Sequence, residues 1–185
     1  MQPLVVETDW LGERILTFRD LIPHTPRALF VGLNPSPVSL AAGHYHQGRL
    51  GKRMWRRMEQ SAVIPSPPAG TYHDEWLFRL GFGLTDLVKR PSPSARDLTS
   101  RDFAHGRARL LALLLEAHPP LICFVYKLAA EQALDKRLPP GAGLVSARIE
   151  GAQVFLMPGP YATSAEAART LRALKALLRR RSRAR

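Results

Sequence analysis

Leu29-Phe30-Val31-Gly32-Leu33-Asn34-Pro35-Ser36-Pro37 is the stretch on which the fold turns. Leu29 to Leu33 is an unbroken apolar run. A strand that shows no polar alternation is covered on both faces, as in a parallel sheet flanked by helices. Asn34-Pro35-Ser36-Pro37 then ends the strand, because proline has no N–H for the ladder and biases the preceding residue toward a turn. Leu121-Ile122-Cys123-Phe124-Val125 has the same character and reads as a second buried strand.

Working outward, a Gly-rich loop is expected from Ser39 to Gly51, and a helix from Arg53 to Met58. Leu77 to Phe82 reads as helix leading into Gly83-Leu84-Thr85-Asp86-Leu87-Val88. Pro65 to Thr71 and Pro91 to Arg96 read as loops. Ser100 is placed to cap a helix with Phe103, Leu110, Leu111 and Leu114 on one face. Lys127 to Leu134 forms a further helix, and Pro139 to Gly143 a loop. Leu144 to Ile149 and Gln153 to Met157 read as strands joined at Glu150-Gly151. Ser164 is placed to cap a last helix that buries Ala167, Leu171, Leu174 and Leu178. Strands alternating with helices predict a three-layer α/β/α sandwich around a central, mostly parallel sheet of four to five strands. The expected layout is a single domain, 1–178, and a basic, frayed C-terminal tail, 179–185, with five arginines in seven residues. Ligands in such sheets bind beyond the carboxyl ends of the strands. Asn34, Thr85-Asp86 and the loop after Met157 therefore share one rim.

Composition narrows the class of partner. The 185 residues carry 27 Lys and Arg against 15 Asp and Glu, a formal +12. A surface this basic favours polyanions, through phosphate contacts that release condensed counterions. The single cysteine, Cys123, rules out an intrachain disulfide and a four-cysteine zinc or iron–sulfur site. It lies in an apolar strand and reads as a buried, inert thiol. His44 and His46 lack further ligands at a recognisable spacing, so no metal is expected, and no cofactor. No apolar run reaches a membrane span, and the N-terminus lacks the basic, apolar pattern of a signal peptide. A cytoplasmic, nucleoid-associated monomer is expected.

Two loops, each following an apolar strand, hold the candidate chemistry: Gly32-Leu33-Asn34-Pro35-Ser36-Pro37 and Met157-Pro158-Gly159-Pro160-Tyr161-Ala162-Thr163-Ser164. Taken with their surroundings they resemble the uracil-DNA glycosylase superfamily, and within it the mismatch-specific uracil and thymine branch. Gly32-Leu33-Asn34-Pro35-Ser36 is similar to that branch's Gly-Ile-Asn-Pro-Gly. Gly43-His44-Tyr45-His46 occupies the place of its Gly-His-His-Tyr, and Trp55 follows. Gly83-Leu84-Thr85-Asp86-Leu87-Val88-Lys89-Arg90 resembles Gly-Phe-Thr-Asn-Met-Val-Glu-Arg. Asp97-Leu98-Thr99-Ser100-Arg101-Asp102-Phe103 resembles Asp-Leu-Ser-Ser-Lys-Glu-Phe. Pro120 to Glu131 is similar to the family's strand–Gly-Lys–helix–Glu segment, with Lys127 and Glu131 in register. The likeness runs from Leu29 to Leu178. Ser36 replaces the motif glycine, Asp86 an asparagine, and Pro158-Gly159-Pro160 the usual Pro-Ser of the second motif.

The resemblance implies a monofunctional DNA glycosylase that flips out uracil, or another deaminated or damaged base, and hydrolyses its N-glycosidic bond to begin base excision repair. Asn34 would orient the attacking water. Gly32, Leu33, Pro35 and Ser36 would line the base pocket, with Ser36 on the C5 side, where it narrows the space for thymine. Tyr45 or His46 would stack on the base, or the histidines are exposed loop residues. Asp86 would accept the imide N–H of uracil or N1–H of hypoxanthine, or it pairs with an arginine such as Arg90. Pro158, Gly159, Pro160, Tyr161, Thr163 and Lys127 would hold the DNA, with Tyr161 or its proline neighbours as a minor-groove wedge. Competing readings are a non-catalytic nucleic-acid-binding domain with this fold, and a nucleotide or small-molecule hydrolase. The lack of a Walker-type phosphate loop and of an acidic metal cluster weighs against the hydrolase.

Overall fold

The computed structural model describes residues 3–183. A five-stranded sheet runs in the order β4-β3-β5-β7-β6: β4 is Phe82–Asp86, β3 Ala28–Gly32, β5 Leu121–Phe124, β7 Ala152–Leu156 and β6 Gly143–Ile149. The first four strands are parallel, and β6 closes one edge antiparallel to β7. The predicted sandwich and its two diagnostic strands are therefore present.

Side chains alternate across the sheet with the period of two that a pleated strand imposes. Phe30 and Cys123 enter a core with Trp55, Met58, Leu77, Leu171 and Leu174. These come from α2 (Arg49–Gln60), α3 (His73–Arg79) and α6 (Ser164–Arg183). Leu29, Val31, Ile122 and Phe124 enter the opposite core with Leu110, Leu114, Ala129 and Ala133. Those come from α4 (Ser100–Ala117) and α5 (Lys127–Leu134). Cys123 is fully buried, and burial pushes its thiol pKa well up.

Several local expectations are corrected. A hairpin of β1 (Val5–Trp10) and β2 (Glu13–Phe18), turning at Leu11-Gly12, precedes the sheet and adds to the elements expected from the sequence. Trp10 and Phe18 anchor it in the two cores. The segment expected as a loop from Ser39 to Gly51 is partly helical. Ser36 caps a short α1 (Pro37–Ala42) with proline in its first turn, and Gly43 ends it in the left-handed region at φ 72°. Helix α2 begins at Arg49, earlier than Arg53. Phe82 belongs to β4, not to a helix, because α3 stops at Arg79.

The helix caps fall one residue earlier than predicted. Thr99, not Ser100, caps α4 and pairs with Asp102 in a reciprocal capping box. Thr163, not Ser164, caps α6 in the same way with Glu166. Helix α6 continues through Arg183, so the described part of the expected tail, residues 179–183, has helical backbone. Residues 184 and 185 of the expected tail lie outside the described residues.

Candidate active site

Asn34 follows β3, Asp86 ends β4, Tyr126 follows β5 and Pro158 follows β7, all at the carboxyl ends of parallel strands. Asn34, Asp86 and Tyr126 line one open cavity of about 330 Å³, which also takes in Leu33, Pro35, Ser36, Tyr45, His46, Gly48, Arg49 and Ser92. Every residue predicted to surround the base thus borders this space, except Gly32, which lies directly behind it.

Asn34 is held by one half of its amide. Its Nδ2 donates to the Ser92 hydroxyl at 2.9 Å and to the carbonyls of Pro35, Arg90 and Ser92 at 3.2, 3.3 and 3.4 Å. Carbonyls can only accept, and the Ser92 hydroxyl gives its own proton to the Ser94 carbonyl at 2.7 Å. The surroundings therefore dictate which end of the amide is nitrogen. Oδ1, with no acceptor role inside the protein among the described residues, is left for the cavity. Ser92 was not foreseen, because its link to Asn34 spans 58 positions.

The segment carrying those carbonyls is itself anchored. Asp102 accepts from Arg90 Nε at 2.9 Å and Nη2 at 2.7 Å, from Trp10 Nε1 at 2.8 Å, and from the Thr99 amide at 2.8 Å. The Arg90 bond, more than offsetting burial, keeps this carboxyl well below the ordinary carboxylate range. Asp102 so ties the hairpin, the turn after β4 and the start of α4 into one frame for Asn34. Arg90 being engaged there, the alternative pairing of Asp86 with Arg90 does not occur.

Asp86 is only 2% exposed, and its carboxylate has no hydrogen-bond partner among the described residues. Burial raises its pKa to about 7; Asp20 adds to the rise, while Lys89 and Arg109 oppose it. Behind it, Asp20 accepts from Lys89 at 2.5 Å and from Arg109 at 2.8 Å, and Arg109 also donates to the Asp86 carbonyl. Gly32 makes room for this arrangement. A Cβ there would lie 2.0 Å from Asp86 Oδ1 and 3.1 Å from the His46 ring.

His46 sits in the left-handed region at φ 57°, and its Nε2 is buried without a partner. Burial lowers its pKa to about 4, so the ring is neutral near pH 7. It is not an exposed loop residue. Its ring meets Trp55 edge-on, with centroids 5.8 Å apart. Gly51 lets α2 close against this turn, since a Cβ there would lie 2.2 Å from the His46 carbonyl oxygen. Tyr45 is packed more tightly than expected. It is stacked on Phe18, and its hydroxyl donates to the Arg19 carbonyl at 2.9 Å. His44 turns away to Asp74 at 3.0 Å and stacks on Tyr72. Ser36 Oγ accepts from the Ser39 amide at 3.2 Å while bordering the cavity. Helix α2 begins at the same wall with no side-chain cap on its first amides.

The loop after β7 is pinned by two arginines of α2. Arg53 donates to the Pro160 carbonyl at 2.8 Å, and Arg57 to the Gly159 and Ala162 carbonyls at 3.1 and 2.7 Å. Tyr161, between these anchors, is 79% exposed. Lys127 stands near this loop, paired loosely with Glu131 at 3.7 Å. Thr163 is occupied by its cap and its hydroxyl faces Glu166.

The fold and cavity define an α/β domain with a pocket of mixed apolar and polar lining at the strand ends, in which one amide is oriented. The chain belongs to the uracil DNA glycosylase superfamily, whose family model matches residues 19–180. It is also similar to a G/U mismatch-specific uracil DNA glycosylase of Schizosaccharomyces pombe, with 33% identity over 104 residues. That alignment covers 56% of this chain and 31% of the relative, so the matched stretch spans under a third of the relative's length.

Proposed function

We propose that this protein is a monofunctional DNA glycosylase that hydrolyses the N-glycosidic bond of a flipped-out uracil and so opens base excision repair. The observation that carries this reading is the Asn34 amide, fixed through Nδ2 with Oδ1 open to the cavity. An amide is too weak a base to take a proton from water. It can still accept a hydrogen bond and aim the water's oxygen at C1′. As the C1′–N1 bond lengthens, the sugar becomes cationic and the electron pair passes to the base. A placed water then completes the step, and positioning with electrostatics supplies the rate. The water oxygen ends on C1′, and its released proton goes to solvent.

The leaving base carries negative charge on its carbonyls, which the uncapped first amides of α2 can accommodate. Ionised Asp86 accepts the imide N–H. Cytosine presents an acceptor at that position and is disfavoured. Extruding the nucleotide costs a few kcal/mol. Phosphate contacts from the basic surface and the exposed Tyr161 ring offset that cost.

Asn34→Ala is expected to lower single-turnover excision from a uracil-containing duplex by about 10²–10³ while leaving its affinity for that duplex within threefold. Alkali-induced strand breaks at wild-type rate in this variant would end the assignment. Tyr161→Ala should weaken excision from duplex far more than from single-stranded substrate. Equal losses on both would remove Tyr161 as the wedge.

A further inference from the structure

Helix α6 carries a second cationic surface, remote from the cavity. From Ala167 to Arg183 it holds seven Arg and Lys and no acid. Its one carboxylate, Glu166, is engaged by Thr163 at the cap. Arg172, Lys175, Arg179 and Arg180 surround a shallow hollow on the side of the helix away from buried Leu171, Leu174 and Leu178. Among the described residues none of these four side chains has a hydrogen bond or an ion pair. Residues 172, 175 and 179 follow one another at spacings of three and four, where like charges face each other and repel. Among the described residues no counter-charge offsets this repulsion.

The position of this face matters as much as its sign. Helix α6 leaves the rim at Ser164 and runs back along the sheet. Near its far end Arg181 donates to Gln153 Oε1, and Gln153 pairs in register with Leu121, the first residue of β5. Asn34 lies past the opposite end of the strands. The six residue steps from Ala28 to Asn34 span about 20 Å at strand rise. The length of the strands therefore separates the cavity from the last turns of α6.

We infer that this face of α6 is a second phosphate-binding surface, which holds a DNA duplex other than the one presented to the cavity. The inference rests on the reading that DNA is the substrate. The four cations extend about 12 Å along the helix axis from Arg172 to Arg180. Over that length B-DNA offers a phosphate about every 1.7 Å of its axis. Their flexible, unpaired side chains suit sequence-independent contacts with that backbone. A protein gripping one duplex at each pole transfers between DNA segments without first dissociating.

The test uses the full chain and short uracil-free duplexes carrying a donor or an acceptor fluorophore. Wild type should bring donor and acceptor duplexes together and bind two duplexes per chain. R172Q/R179Q/R180Q should bind one, lose the energy transfer and lower the salt slope of total binding by roughly three. Its excision rate on a short uracil duplex should stay within twofold of wild type. The matching triple lysine variant should restore energy transfer, because a point charge suffices for such contacts. One duplex per wild-type chain overturns the inference. So does undiminished transfer by the glutamine variant, or loss of its excision in step with its binding. Polyglutamate displacing the second duplex more readily than unlabelled DNA overturns the assignment to DNA. Absence of excision by wild type sinks the proposed activity, while the two-duplex measurement remains readable by itself.

Discussion

At the scale of single residues, Asp86 governs how the site responds to pH. Its pKa is raised by burial to about 7 in the fold, against 3.8 in a free chain. Between those values the folded state keeps a proton that the unfolded chain has lost. Its contribution to stability is therefore complete below about pH 4 and is lost as pH climbs through about 7. A shift of this size corresponds to about 4 kcal/mol as an upper bound. Asp86→Asn should raise the unfolding free energy by roughly 2–4 kcal/mol at about pH 8 and leave it little changed at about pH 4. Urea titrations at both values check this. In the same variant the rise of excision with pH through neutrality should flatten. A wild-type rise kept intact would move that titration to another group. His46 does not supply one, since its pKa of about 4 keeps it neutral throughout this range.

At the scale of elements, α2 serves both cavity and loop. Its first turn forms one wall of the cavity, and Arg53 and Arg57 hold the segment from Gly159 to Ala162. Replacing both arginines with alanine should lower kcat/KM on duplex DNA about tenfold, one 1.4 kcal/mol step in positioning. Limited proteolysis should then cut near Tyr161 faster than in wild type. An uncut loop with full activity would show that the clamps are dispensable. How legible these elements are in the sequence depends on how local their causes are. Leu29–Leu33 and Leu121–Val125 announce themselves as apolar runs, and Glu150-Gly151 marks the β6–β7 turn. The β1–β2 hairpin is quieter: most of its residues are partly exposed, and only Trp10, Thr17 and Phe18 are buried. Its alternation about Leu11-Gly12 was the available signal. Helix α1 is six residues long, too short for periodicity, although Ser36-Pro37 is a start signal. The rim position of Asn34 and Asp86 follows from strand order. The ties to Ser92, Asp102 and Asp20 do not, because each joins segments that meet only in the folded chain.

At the scale of the whole molecule, charge and topology divide the work. The parallel strands deliver Asn34, Asp86 and Tyr126 to one end, while a formal +12 spreads over the surface. Affinity for uracil-free duplex should therefore fall steeply with salt. A plot of log affinity against log salt should have a slope of about −4 or steeper, each phosphate neutralised contributing about −0.9. A flat plot would remove the electrostatic grip from the account. The four acceptors around Asn34 Nδ2 bear on which side chains the site can hold. A carboxylate at position 34 would turn one oxygen toward three carbonyls and a committed hydroxyl, and could rest there only as the neutral acid. The turn at Arg90–Ser92 thus selects an amide over its charged isostere, and any lineage moving to an aspartate at this position would first have to rebuild that turn.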